Sequence, residues 1–237
     1  MKGSWWSYFV VVTLLSTTWC VVGLPKDVAH NLEDYAAPWA APAHIKFAYQ
    51  GLHNDLRSLL SQQAIRQSIS VTFFTAAQRP MLLNCLYSLI KYGRALNYIV
   101  VTIDHTSLNE CLALRLPCYN ATHMLGDLAS ENDSSFGSPQ YRKLVHSKPG
   151  IVWEVLRLGL NVHFTDVDVS FLRRVWPSYN RLLQNTGADM VFMNEYTHLN
   201  TGNFVIRYNE RTATAVRAWA TATPERETCG FFVSAPL

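Results

Sequence analysis

Charge is scarce in this chain. Only 16% of the 237 residues are Asp, Glu, Lys or Arg, and the formal net charge is +3. So small a surplus argues against nucleic acid as a partner and against a polybasic membrane surface. Cysteine is sparse too: there are five, and four of them (Cys85, Cys111, Cys118 and Cys229) lie beyond the amino-terminal segment. No internal repeat and no low-complexity tract is visible, which excludes a solenoid or an array. What remains is apolar and globular, with 49% hydrophobic residues. A chain of this length can hold one α/β domain whose core needs no staples. Seven Trp and eleven Tyr are generous. Sugar-binding clefts use such rings, although most are expected in the core.

The amino end reads as a targeting segment. Lys2 precedes an apolar run over about residues 8–24, closed by Pro25, Lys26 and Asp27. The run falls short of the roughly 20 residues of a spanning helix and is long for a signal-peptide core. Val21-Val22-Gly23 would serve as a cleavage site. Residues 1–24 are therefore a signal peptide or an uncleaved type II anchor, and both deliver the rest to the secretory lumen. An anchor would hold the chain to the Golgi membrane; cleavage would leave it secreted or in the ER lumen.

Two sequons, Asn120-Ala121-Thr122 and Asn132-Asp133-Ser134, fit that address. Four cysteines in an oxidising lumen permit two disulfides, with Cys111–Cys118 the most plausible pair. Residues 25–67 read as a stem, extended around Ala37-Pro38-Trp39-Ala40-Ala41-Pro42, followed by a helix over 53–67 packed on the flank of the domain.

Residues 68–237 form the domain proper. A strand over 69–75, a helix over 81–92 ended by Gly93, and a continuous apolar strand over 98–103 predict a right-handed βαβ unit. Ligands in open α/β sheets bind beyond the carboxyl ends of the strands. Thr75 and Asp104 stand there. Asp104 can accept from a ribose hydroxyl or a base N–H, or simply cap a helix. A short helix over 108–116 and a short strand over 116–119 follow. Helical character resumes at 141 and breaks at Lys148-Pro149-Gly150, with a clean helix over 151–158 capped by Gly159.

The next strand delivers Val162-His163-Phe164-Thr165-Asp166-Val167-Asp168. Alternation along a strand predicts Asp166 and Asp168 on one face and Val167 on the other. Two adjacent carboxylates repel, and a divalent cation relieves that cost. Hard oxygen ligands suit Mn²⁺ or Mg²⁺ carrying substrate phosphates, so both aspartates are candidate metal ligands. The bland alternative is a solvated turn with two acids. Arg173 and Arg174 are expected in solvent. A strand over 188–193 and an Asn200-Thr201-Gly202 turn follow. An amide, a hydroxyl and a Gly at one spot are what a sugar cleft wants. Residues 212–222 close the domain as a helix.

The ordered set from Val71-Thr72-Phe73-Phe74-Thr75 to Leu199-Asn200-Thr201-Gly202-Asn203-Phe204 resembles nucleotide-diphospho-sugar transferases of glycosyltransferase family 77, over about residues 69–222. The resemblance implies a GT-A fold, a Rossmann-like, mostly parallel sheet flanked by helices. It also implies transfer from a UDP-sugar to a glycan or glycoprotein acceptor, with retention of configuration and Mn²⁺ as the metal. Asp168 would ligate the metal directly, and Asp166 would help through ribose or a metal-bound water. Thr75 and Asp104 would lie by the nucleotide, and Asn200 and Gly202 by the sugar. No catalytic residue is assigned. The family continues past Trp219 into an Asp-Gln motif and a metal-binding histidine. Here Thr223-Pro224-Glu225-Arg226-Glu227-Thr228-Cys229-Gly230 stand instead, so the carboxyl-terminal part of the family domain is expected to be missing. Donor binding is then a firmer expectation than turnover. Two other readings compete. One is a transferase-derived binding or scaffold domain. The other is a haloacid-dehalogenase phosphatase, which needs a downstream lysine where the 69 residues after Asp168 contain none.

Overall fold

The structure is a computed structural model that describes residues 56–125, 139–195 and 198–222. The leader, the stem up to residue 55, the Asn132 sequon, Cys229 and the stretch after Trp219 from residue 223 lie outside them. Apolar β-branched runs become six strands of one sheet. They are β1 (Ser68–Phe74), β2 (Tyr98–Thr102), β3 (Cys118–Asn120), β4 (Asn161–Thr165), β5 (Met190–Glu195) and β6 (His198–Ile206). Their order across the sheet is β3-β2-β1-β4-β6-β5. The first four pair in parallel, and β6 runs antiparallel to both β4 and β5. A mostly parallel sheet flanked by helices is what the sequence predicts, and it resembles the GT-A arrangement.

Alternation along the strands sorts the two faces. Ile69, Val71, Phe73, Ile99, Val101, Val162, Phe164, Phe204 and Ile206 share one face and one buried cluster. Leu56, Leu59 and Leu60 of α1 (Leu56–Gln63) join it, so the helix before the domain is part of its core. Ile151, Val152, Val155 and Leu156 cover the same face from α5 (Pro139–Leu156). Val216 does so from the closing helix α7 (Glu210–Thr221). The opposite face carries Ser70, Thr72, Phe74, His163 and Thr165. On that side lie α2 (Arg79–Lys91) and α6 (Val175–Thr186), joined where Val175 N–H donates to Gly93 O at 2.9 Å. The short helices α3 (His105–Ala113) and α4 (Thr122–Leu125) flank β3 in the chain.

Two local expectations are corrected. First, Lys148-Pro149-Gly150 does not interrupt the helix: α5 runs through it as one element of 18 residues. An internal proline costs about 3 kcal/mol. Ile151, Val152, Val155 and Leu156 are all fully buried, at roughly 1.5–3 kcal/mol each, and outweigh that cost. Second, Asn200-Thr201-Gly202 is not a turn before a strand but part of β6. Pairing with β5 passes from Phe192↔Phe204 to Met193↔Asn200, so residues 201–203 form a bulge. Of the four cysteines beyond the leader, the described residues hold three. Cys111 and Cys118 are bonded as expected, while Cys85 is buried and free.

Gly159 turns α5 into β4 with φ +84°, a left-handed conformation that other residues adopt at a cost. Among the described residues no helix is long and apolar enough to cross a membrane.

Candidate functional site

Strand order places the site. From β1 the chain steps to β2 on one side, whereas β4 lies on the other, so connections diverge at the carboxyl ends of β1 and β4. Such a switch point opens a crevice in a parallel sheet. Thr75 follows β1, Asp104 follows β2, Asn120 ends β3 and Asp166 follows β4, all on that rim. Antiparallel β6 enters from the same side, with Asn203 opposite Thr165. Asp166 N–H then donates to Gly202 O at 2.6 Å. Thr75, Asp104, Asp166, Asp168, Asn200 and Gly202 thus belong to one rim, as the sequence predicts.

β4 stops at Thr165, and the two aspartates sit on the turn beyond it, with Val169 N–H reaching Asp166 O at 3.4 Å. They are not strand neighbours sharing a pleat, yet Val167 still points into the core. The aspartates differ sharply. Asp168 is exposed and has no hydrogen-bond or ion-pair partner among the described residues. Asp166 is two-thirds buried and meets the Lys148 ammonium through both oxygens, Oδ1 at 2.7 Å and Oδ2 at 2.8 Å. Burial pushes the Asp166 carboxyl above the usual carboxylate range. Lys148 works against that shift, and Asp168 adds to it.

Lys148 is the functional residue that sequence reasoning missed. It lies 18 positions before Asp166, in a segment that reads as a helix break. Only the continuous α5 carries it over the sheet, where its Nζ lies 5.4 Å from the Phe164 ring centroid.

Gly202 matters through what it lacks. A Cβ there would stand 2.9 Å from both Asn200 Oδ1 and Asp166 Oδ2, so any side chain would displace one of them. Gly202 N–H also donates to Asn200 Oδ1 at 2.6 Å. Beneath the turn, the Cys85 thiol donates to Asp166 O at 3.7 Å. Burial, and then the charges of Asp168 and Asp166, push that thiol up to about 12, so it stays protonated and serves as a prop.

Asp104 caps α3, accepting from Ser107 N–H at 2.7 Å and Ser107 Oγ at 2.5 Å. Ser107 Oγ in turn accepts from Ala76 N–H at 2.8 Å, tying the loops after β1 and β2 together. Thr75 is half-buried, its Oγ1 donating to Gln78 Oε1 at 3.1 Å. Of the alternatives for Asp104, the cap is realised. Arg173 and Arg174 are exposed, as expected.

A buried polar network on the far face braces the site. His163 Nε2 lies 3.0 Å from Asn203 Oδ1, which also accepts from Tyr179 at 2.7 Å. An amide oxygen only accepts, so Nε2 carries the proton and Nδ1 accepts from Ser70 Oγ at 3.1 Å. The neutral ring thus joins β1, β4 and β6 just below Asp166 and Gly202. Burial pushes the His163 pKa down to about 4, against 6.5 when unperturbed. Above pH 6.5 neither state binds this proton. As pH falls from 6.5 toward 4 the unfolded chain gains it and the folded chain does not, so stability falls. The full loss is on the order of 3 kcal/mol. Urea midpoints between pH 7.5 and 4 should fall more steeply for the wild type than for His163→Gln. Parallel slopes would remove His163 as the cause.

The oxygens here are of the kind a hard cation takes: the exposed Asp168 carboxylate, the Asp166 carboxylate already met by Lys148, and the Asn200 amide oxygen bonded to Gly202 N–H. Among the described residues no group of three or more His, Cys, Asp or Glu converges on a metal position. Asp168 is the residue that would hold such an ion, with phosphate oxygens and water completing its shell.

The curated relatives include an uncharacterized Arabidopsis thaliana protein, 30% identical over 130 residues, which make up 51% of this chain and 36% of the relative. UDP-galactose:fucoside alpha-3-galactosyltransferase of Dictyostelium discoideum is 28% identical over 100 residues, 39% of this chain and 15% of that one. Beta-arabinofuranosyltransferase RAY1 of Arabidopsis thaliana is 25% identical over 174 residues, covering 68% and 31%. The chain thus spans little more than a third of the length of these relatives at most. Among solved structures, mouse xyloside xylosyltransferase 1 superposes with a TM-score of 0.43 and 11% identity, covering 65% of this chain and 73% of that one. A sequence model of one family matches residues 95–228, more than half of the chain and including the Asp166–Asp168 turn and the β6 bulge. By that match the chain belongs to the nucleotide-diphospho-sugar transferase family.

Proposed function

We propose that this chain is the donor-binding domain of a glycosyltransferase that takes a UDP-sugar and passes the sugar to a glycan or glycoprotein with retention of configuration. The observation that carries the reading is the Asp166–Asp168 turn at the switch point, held against the β6 bulge by the 2.6 Å bond from Asp166 to Gly202. Family membership supports the donor class. The Dictyostelium relative, named for UDP-galactose, supports uridine diphosphate as the nucleotide. Family membership also leaves the phosphatase reading without support.

Mn²⁺, or Mg²⁺ in its place, would neutralise the diphosphate as the glycosyl bond breaks. The chain's own residues do the rest. Asp168 offers an unencumbered carboxylate to the cation–diphosphate complex. Asp166, fixed by Lys148 and the Gly202 carbonyl, presents its remaining lone pairs to donor hydroxyls. Gly202, bare at Cα, leaves Asn200 Oδ1 and Asp166 Oδ2 in place beside the backbone, where the sugar would meet them. Thr75 and the Asp104-braced loop form the nucleotide side of the crevice. Melting the full chain with UDP, with Mn²⁺ and with both tests the reading. The pair is expected to stabilise the fold more than the sum of the two alone. Simple additivity, or no shift, would contradict it.

The same reading includes a lumenal address, as a type II Golgi protein or a cleaved secreted form, supported by residues 1–24 and the sequons. Asn120 ends β3 half-buried, its Oδ1 accepting from Thr122 N–H at 3.1 Å and Thr122 Oγ1 at 2.8 Å. Protein made in eukaryotic cells should gain mobility after removal of N-glycans by an endoglycosidase. Unchanged mobility, with cytosolic protease sensitivity, would place it outside the secretory pathway.

A further inference from the structure

A buried lysine needs a reason. Lys148 is 7% exposed. Its ammonium contacts both oxygens of Asp166, one member of the aspartate pair. We propose that Lys148 is a positioning residue that reserves Asp166 from the metal. The cation is thereby left to Asp168 and the diphosphate, and Asp166 is aimed at the donor's hydroxyls. The proposal rests on the nucleotide-sugar reading and divides its site into two unequal carboxylates.

The physical case starts from charge. A divalent cation on either Asp166 oxygen would lie a few ångströms from an ammonium in a region of low dielectric, and like charges there repel strongly. Withdrawing Lys148 to admit the ion would strand its ammonium among buried groups with no carboxylate to meet it, which is unfavourable for any buried charge. The lysine also has little room to withdraw. Its backbone is fixed mid-helix, with Pro149 after it and fully buried Ile151 and Val152 one turn on. The Asp166 backbone is fixed too, by Gly202 O at 2.6 Å and Cys85 Sγ at 3.7 Å. Asp168 carries neither restraint, being exposed and unpaired among the described residues. One carboxylate is therefore neutralised within the protein and rigid, and the other is available.

Mn²⁺ binding, alone and with UDP, should be measured by calorimetry on the full chain and on four variants, each first shown to melt cooperatively. Removing a metal ligand or its support typically changes metal affinity by about 10–100-fold. Asp168→Asn should therefore lose about that much affinity for Mn²⁺ with UDP. Lys148→Met frees a second carboxylate and should bind Mn²⁺ without nucleotide more tightly, by about 3–10-fold. Lys148→Arg should restore the wild-type value. A lysine that only stabilised the fold would not raise metal affinity on removal. Lys148→Gln, which keeps a hydrogen-bond donor for Asp166 without the charge, should show the same rise and decides if Lys148→Met fails to fold. Unchanged or weaker Mn²⁺ binding by a folded Lys148→Met or Lys148→Gln would overturn the proposal. Failure of the wild type itself to bind UDP with Mn²⁺ would sink the underlying nucleotide-sugar reading, a result separable from any pattern among the variants.

Discussion

Asp168→Asn should leave the melting temperature of the free chain nearly unchanged and abolish the joint stabilisation by UDP and Mn²⁺. Asp168 is exposed and unpaired among the described residues, so its replacement removes no folding interaction. Substitutions at such positions stay within about 0.5 kcal/mol. What the substitution removes is a rim carboxylate that is exposed and makes no hydrogen bond or ion pair among the described residues. Ligand at a hundredfold excess over Kd stabilises the native state by about 2.7 kcal/mol. In a domain of this size that corresponds to a rise of roughly 5–11 °C. The wild type should show such a rise and the variant almost none. An undiminished rise in Asp168→Asn would put the nucleotide elsewhere on the molecule.

Phe204→Ala should be the most destabilising single truncation near the site, at about 3–5 kcal/mol, or roughly 6–20 °C in Tm. Phe204 is fully buried on β6. Its ring stacks on Phe164 at 5.1 Å and 11° and on Phe192 at 5.0 Å and 27°, with Trp219 at 5.9 Å. Removing it opens a cavity among three rings that rigid strands hold apart, so little collapse can refill it. β6 also carries Asn200 and Gly202, and the loss should weaken nucleotide binding without touching a ligand. A drop below about 1 kcal/mol by urea unfolding would mean that the aromatic cluster packs loosely.

Much of the sheet was legible because strands and helices differ in period. Residues 69–75 and 98–103 announced β1 and β2 through unbroken apolar runs, and Asp104 stood where the next helix needs a cap. The aspartate pair was legible because an Asp-x-Asp after a buried strand is costly without a purpose. Four other features were not. The insertion of antiparallel β6 between β4 and β5 leaves no local mark, since strand order is decided by packing across the sheet. Asn200-Thr201-Gly202 carries turn chemistry, and only the neighbouring Asp166 explains why a bulge with a bare Cα is needed there. Lys148 falls in a segment that reads as a helix break, because local propensity gives Pro149 and Gly150 more weight than the four buried aliphatic residues that override them. His163 read as one more strand residue. Its partners Ser70 and Asn203 stand 93 and 40 positions away, a separation that no local pattern bridges.

The most direct measurement is a map of where the nucleotide–metal complex sits. Mn²⁺ is paramagnetic and broadens nearby amide resonances, so it can be titrated into the isotopically labelled full chain saturated with UDP. Broadening should be strongest at Asp168, Val169 and Gly202. It should fade along β4 toward Asn161 and along β1 toward Ser68, at the opposite rim about 16 Å away. Broadening centred on that opposite rim, or on the exposed faces of the helices, would contradict a donor site at the Asp166–Asp168 turn.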